Sequence, residues 1–150
     1  SAASDVYKRQ ISSIVEKNNM NTKLDKILAE ISAGELVDKV TILEIKQAKI
    51  SDMEKLNLIN KELLSLNSTM KKFIPDHSKI KHLISELKEV NLKLWDIEDG
   101  KREAEKNNNF DEKFIELARN VYKFNDKRAK IKLSINNLLG SNIKEVKSYK

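Results

Sequence analysis

Three successive apolar seams, each advancing in alternating steps of three and four residues, limit what this chain can fold into. Leu56, Ile59, Leu63, Leu66, Met70 and Phe73 form the first. Ile80, Leu83, Leu87, Val90, Leu94 and Ile97 form the second. Phe114, Leu117, Val121, Phe124, Arg128, Ile131, Ile135 and Leu138 form the third. Such steps keep each seam on one face of a helix, and that face must be covered by another helix. Consecutive seams joined by short polar breaks predict antiparallel packing. The expected fold is all-α, an antiparallel bundle of coiled-coil-like hairpins with about four helices.

The ends of these helices carry their own signals. Leu24, Ile27, Leu28 and Ile31 make a short apolar stripe leading into Ser32-Ala33-Gly34-Glu35, where Ser32 and Glu35 have capping-box spacing. A helix is expected from there to about Ile50, with Leu36, Val40, Leu43 and Ile50 on one face. Val37, Ile42 and Ile45 widen that face, which predicts burial on more than one side. Ser51-Asp52-Met53-Glu54 repeats the capping signal, and Pro75 ends the second helix because it lacks a backbone donor. A third helix starts near Asp76 or Ser78. Gly100 weakens it by about 1 kcal/mol relative to Ala without ending it. The break falls at Asn107-Asn108-Asn109. Asp111 caps the fourth helix, and Gly140 closes it. The domain is expected over 32–140, after an N-terminal segment 11–31 and before a polar tail 141–150.

Composition agrees with long helices and narrows the function classes. Charged residues make up 35% and apolar residues 39%, with only three Gly and one Pro to interrupt helices. There is no Cys, hence no disulfide framework and no thiolate metal site. No apolar run approaches the roughly 20 residues that span a bilayer, and Ile11–Val15 is too short for the core of a signal peptide. A soluble, cytoplasmic protein without membrane contact is expected. The net charge of +6 suggests nucleic acid, yet the basic residues are nearly all Lys, with arginines only at 9, 102, 119 and 128. Phosphate recognition leans on the planar Arg fork, so a solvated Lys-rich surface is the preferred reading.

Asp5-Val6-Tyr7-Lys8-Arg9-Gln10 reads as the translation of a transposon mosaic end used in sequencing libraries. Ser1–Gln10 is therefore set aside as adapter-encoded, of metagenomic origin, which lowers the net charge to +5. Met20 becomes the expected start.

The polar residues that could carry chemistry gather on the last two helices. If these form a hairpin about Asn108 and Asn109, Glu98 faces Arg119, Glu89 faces Arg128, Asn91 faces Asp126, and Trp95 faces Tyr122. Together with Asn125 these residues form the candidate cluster. Arg128 stands out because it occupies a seam position, where a buried Arg costs several kcal/mol unless paired. One reading is a device that fixes the register of the hairpin. The other is a ligand site with Arg119 and Arg128 on an anion, Trp95 or Tyr122 stacking, and Glu98 or Asp126 as acid or base. Asp38 and Lys39 interrupt the apolar first helix. The simpler reading pairs Glu35 with Lys39 at a solvent edge, and the functional one brings Asp38 or Lys39 into the cluster of Arg128.

Other chemistries find little footing. His77 and His82 are off the spacing that puts two ligands on one helix face. Glu86 with Glu89 and Asp96 with Asp99 suggest metal carboxylates, but the second acidic pair of an all-α nucleotide pyrophosphohydrolase is missing. No Gly-rich phosphate loop or nucleophile elbow occurs. No metal and no cofactor is expected.

The blocks GELVDKVTILEIK (34–46), VNLKLWDIED (90–99), FDEKFIELARNVYKFNDKRAKIKLSIN (110–136) and GSNIKEVKSY (140–149) resemble the family of unknown function DUF6165. That family comprises short helical proteins from bacteria and phages, and the resemblance covers about Ile27 to Tyr149. It implies a helical fold and, through neighbouring glycosyltransferase and tetratricopeptide-type genes, a surface-polysaccharide or phage context. It implies no catalytic residue.

The expected function is a non-enzymatic helical interaction or assembly module, with a homo-oligomer or another protein as partner. The alternative is a small-molecule binding protein or enzyme for an anionic ligand such as a nucleotide sugar or sugar phosphate. On the first reading, Arg128→Leu or Met leaves the fold intact or more stable.

Overall fold

A computed structural model describes residues 2–18 and 23–148, with the side chains of 12–18 excepted. It contains α1 (Ala2–Asn18), α2 (Ala33–Lys49), α3 (Met53–Phe73), a 3-10 turn (Ser78–Ile80), α4 (Lys81–Lys106) and α5 (Glu112–Leu139). The fold is all-α, with five helices where about four were expected. The additional one, α1, covers Ala2–Asn18, including most of the stretch set aside as adapter-encoded, and among the described residues it packs on none of the others. Met20 lies outside the described residues.

The other four helices begin and end where the sequence signals stand. Ser32 caps α2 by accepting from Glu35 N at 3.1 Å, and Asp52 caps α3 by accepting from Lys55 N at 2.9 Å. Pro75 follows the end of α3, and Ser78 N donates to Asp76 Oδ1 to start the turn into α4. Asp111 accepts from Lys113 N and Phe114 N at the start of α5. Gly140 ends α5 with φ 65°, a left-handed conformation that costs glycine no Cβ clash. The break at Asn107–Asn109 is also as expected, with Asn108 itself at φ 50°.

The tertiary arrangement has α2 at its centre. It packs on α3, α4 and α5, while α4 and α5 form a long hairpin and α3 does not approach α4 closely. Most of the wide apolar face of α2 is therefore used: Leu36, Val37, Val40, Leu43 and Ile45 are buried, while Ile42 and Ile50 are half-buried. Leu36, Val37, Val40 and Leu43 meet Ile59, Leu63 and Met70 of α3, Leu83, Leu87 and Val90 of α4, and Ile131 and Ile135 of α5 in one core.

The α4–α5 hairpin has the register read from the sequence. Lys93 Nζ sits 5.4 Å from the ring centre of Phe124, and a Cβ on Gly100 would lie 3.1 Å from Leu117 Cδ1. Both pairs share the register that sets Trp95 opposite Tyr122. At about 1.5 Å per residue α2 reaches roughly 25 Å and α5 roughly 42 Å. The far half of the hairpin thus extends past its cover, and Phe114, Leu117 and Val121 stay half-buried.

Candidate functional site

The polar core lies where α2 meets α5 in antiparallel fashion. On α5, Arg128, Lys132 and Asn136 are spaced four apart, which stacks them along one face. On α2, Asp38, Glu35 and Gly34 run the opposite way, and the two rows meet residue for residue. Gly34 N donates to Asn136 Oδ1 at 2.6 Å, and both residues are buried. The approach is so close that a Cβ on Gly34 would fall 2.5 Å from the Lys132 carbonyl oxygen. Only glycine lets α2 start there. One step further out, Ala33 N donates to Ser141 Oγ at 3.0 Å.

Asp38 is fully buried, with 0% of its side chain exposed, and every oxygen is engaged. Arg128 holds it with two parallel bonds, Nε to Oδ1 at 2.9 Å and Nη2 to Oδ2. That is the bidentate geometry in which guanidinium and carboxylate match best. Asn91 of α4 adds Nδ2 to Oδ1 at 2.9 Å and also donates to Thr41 Oγ1 at 3.0 Å. Thr41 in turn donates to the Asp38 carbonyl at 2.8 Å. Three helices therefore converge on one carboxylate.

Lys132 is the second cation of this core, with its side chain 10% exposed. Its ammonium donates to Glu35 Oε2 at 2.6 Å and to Glu145 Oε2 at 3.1 Å, and lies 3.9 Å from Asp38 Oδ2. Glu145 belongs to the extended tail after α5, which is thereby tied to the bundle. Burial pulls the Lys132 ammonium down, but bonds to Glu35 and Glu145 and the field of Asp38 outweigh it, holding Lys132 above the usual lysine value. Arg128 is raised by its bond to Asp38. Glu145 is lowered by Lys147 first and Lys132 second. Arg128, Lys132 and Glu145 are thus all charged near neutral pH.

The expected pairings within the hairpin are replaced by others. Arg128 turns to Asp38 on α2, not to Glu89, which is exposed. Asn91 turns to Asp38 and Thr41, not to Asp126. Glu98 pairs with Lys101 at 3.2 Å on its own helix, not with Arg119. The register is right, but α2 lies in the groove of the hairpin and offers Arg128 and Asn91 nearer partners than the facing helix, while Glu98 finds Lys101 one turn along its own helix. Asp38 does reach Arg128, whereas Lys39 points to Glu62 of α3 at 3.4 Å. The Glu35–Lys39 edge pair is replaced by Glu35–Lys132. Sequence reasoning missed Glu35, Lys132, Asn136 and Glu145. The four-residue ladder Arg128–Lys132–Asn136 was the available signal.

Two open clefts flank Arg128. One, of about 550 Å³, is lined by Tyr122, Asn125, Asp126, Arg128, Lys132 and Lys147 among others. The other, of about 430 Å³, has an apolar side of Ile42, Ile45 and Trp95 with Asn91, Asn125, Lys46, Glu98 and Arg102 around it. Asn125 and Arg128 stand between the two. Trp95, Glu98, Asn91, Asn125 and Arg128 are thus brought together, Tyr122 and Asp126 border the neighbouring cleft, and Arg119 sits apart beside Glu112 and Glu116. Among the described residues no cluster of three His, Asp or Glu could hold a metal ion. No helix is long and apolar enough to cross a membrane, among the residues described.

One family model matches the chain, over residues 26–150, and its description is Family of unknown function (DUF6165). No curated protein and no solved structure matches.

Proposed function

The chain belongs to the DUF6165 family, and we propose that it acts as a non-enzymatic helical interaction and assembly module. The observation that supports this is the closure of the polar core. The half-buried Arg128 and the buried Lys132 are both spent on carboxylates of the same chain, Arg128 on Asp38 and Lys132 on Glu35 and Glu145. A ligand site that recognises an anion needs donors aimed at open space, whereas these donors lock α2 onto the hairpin. The surface, by contrast, leaves Leu24, Ile27, Leu28, Met53, Leu58, Leu64 and Phe73 largely exposed. Where such side chains lie together, as Leu24, Ile27 and Leu28 do in one short segment, they are what a protein partner covers. The reading takes the cytoplasm as its compartment, in keeping with a chain that has no cysteine.

A second reading, binding of an anionic small molecule, draws on one feature. The Trp95 cleft carries Lys46 and Arg102, neither of which has an ion-pair partner among the described residues. A thermal-shift screen of the chain against nucleotides, nucleotide sugars, sugar phosphates and polyanions separates the two. A ligand at about 100 times its Kd stabilises by roughly 2.7 kcal/mol. The interaction module gives a flat screen. A shift that is abolished by Trp95→Ala in a folded variant would replace it with the second reading.

A further inference from the structure

Resting on the interaction-module reading, we infer that one end of the bundle is a docking groove for the 23–28 strap of a second copy of this chain. The strap belongs to the non-helical segment before α2. Its Leu24, Ile27 and Leu28 are 86%, 85% and 89% exposed, as open as side chains in an unfolded chain. Their spacing of three and four gathers them on one side only if that stretch coils into a helical turn. In the structure that stretch forms no helix, and all three stand open to solvent. The pattern is written for a conformation that the isolated chain does not adopt there.

A groove of about 620 Å³ lies at the same end, where α2 starts and α3 and α5 finish. Leu36, Ile74, Pro75 and Leu139 contribute its apolar lining, with Phe73, itself 70% exposed, and Ile31 at its edge. The occupant is argued from three things. First, the chain's own strap forms one wall of this groove through Ala29–Ser32, fixed by Asn142 donating to Glu30, by the Ser32 cap and by Ala33 N on Ser141. Returning Leu24–Leu28 of the same chain into the groove would require reversing direction at that anchored wall, whereas a strap from a second copy meets no such obstacle. Second, the charges favour the pairing. The strap carries Lys23 and Lys26 against the single carboxylate of Asp25, and the groove carries Glu30 and Asp76 with no basic residue in its lining. Third, reciprocal exchange makes two joints. Three exposed aliphatic side chains and the groove that covers them, counted twice, bury on the order of 1,200 Å², the lower bound for a specific interface. A twofold pair satisfies both straps and leaves no open groove.

The chain has no cysteine, so a single pair can be introduced without background. The test uses the full chain carrying Leu28→Cys and Phe73→Cys together, oxidised at micromolar concentration and run under non-reducing conditions. Covalent dimer as the main product is expected. Crosslinking within one chain, or none, would overturn the proposal. A second measurement does not depend on a thiol reaction. Leu28→Glu and Phe73→Glu variants should each sediment as monomer where the parent chain sediments as dimer, because each spoils both joints of the reciprocal pair. Wild-type chain that remains monomeric at 100 μM, or either variant that stays dimeric, rejects strap exchange. A flat ligand screen alongside that rejection would leave the interaction-module reading standing with a different partner.

Discussion

The Asp38 carboxylate, wholly shielded from solvent, is gripped by both Nε and Nη2 of Arg128, ninety residues further along the chain. This pair sits at the crossing of α2 and α5, with Asn91 of α4 bonded to the same oxygen as Nε. A charged pair at such a place ties packing to register, since this alignment gives the buried carboxylate three side-chain hydrogen bonds. It also changes what substitution at Arg128 does.

Arg128→Met alone strands Asp38 with only Asn91 and a Lys132 contact at 3.9 Å. Removing one partner of a buried pair costs about 3–5 kcal/mol. The expected result is a clear loss of stability in urea denaturation, which revises the sequence-based expectation of an unchanged or stronger fold. Asp38→Leu with Arg128→Met removes both charges and should recover most of the loss. A double variant no better than the single one would show that the pair is not what the single variant loses.

Gly34→Ala should destabilise the protein although Ala is the better helix former by about 1 kcal/mol. The added Cβ would lie 2.5 Å from the Lys132 carbonyl oxygen and 3.0 Å from Asn136 Oδ1, so α2 must move off α5. A net loss of about 1–3 kcal/mol is expected, as for other overpacked sites. Equal or higher thermal stability would mean that the two helices are free to separate at this point.

Asn136→Ala deletes the acceptor for Gly34 N in a buried setting. An unsatisfied buried donor costs about 1–3 kcal/mol. Faster amide exchange at Gly34, read by hydrogen–deuterium exchange, is the specific signature. Global loss of stability without a change at Gly34 would point to a packing effect instead.

The tail bond gives a pH dependence with a defined sign. Glu145 is lowered by Lys147 and Lys132, so its contribution is fully present above the unfolded glutamate value of about 4.3 and is lost as pH falls through its folded pKa. Lys132 is raised, so its contribution is present below the unfolded lysine value and is lost as pH rises through its higher folded value. Stability should therefore be level across neutral pH and fall at both extremes. Glu145→Gln should be less stable than the parent at pH 7, and the difference should shrink as pH falls through the lowered Glu145 pKa. A difference that does not shrink on acidification would assign the effect to something other than the charge of Glu145.

Local signals in the chain settled the helices themselves. Capping residues at Ser32, Asp52 and Asp111, the stop at Pro75, the glycine at 140 and the seams of α3, α4 and α5 act within a few residues of where they stand. Their consequences can be read in order along the sequence. So could the register of the α4–α5 hairpin, because a short break allows only one way back, and Lys93 meets Phe124 accordingly. Arg128 was recognisable as a seam residue that needed a partner.

Which partner it takes was decided only by the tertiary structure. Asp38 lies on a helix that follows no heptad connection to α5, and it reaches Arg128 because α2 packs into the groove of the hairpin. Gly34 lets the backbones close, and Lys132 and Asn136 align with Glu35 and the start of α2. The stripe Leu24–Ile31 shows the opposite case: its spacing is helical, yet the segment forms no helix and its side chains are exposed. Periodicity states which side chains would share a face, and only the presence of another surface to cover that face makes the helix worth forming.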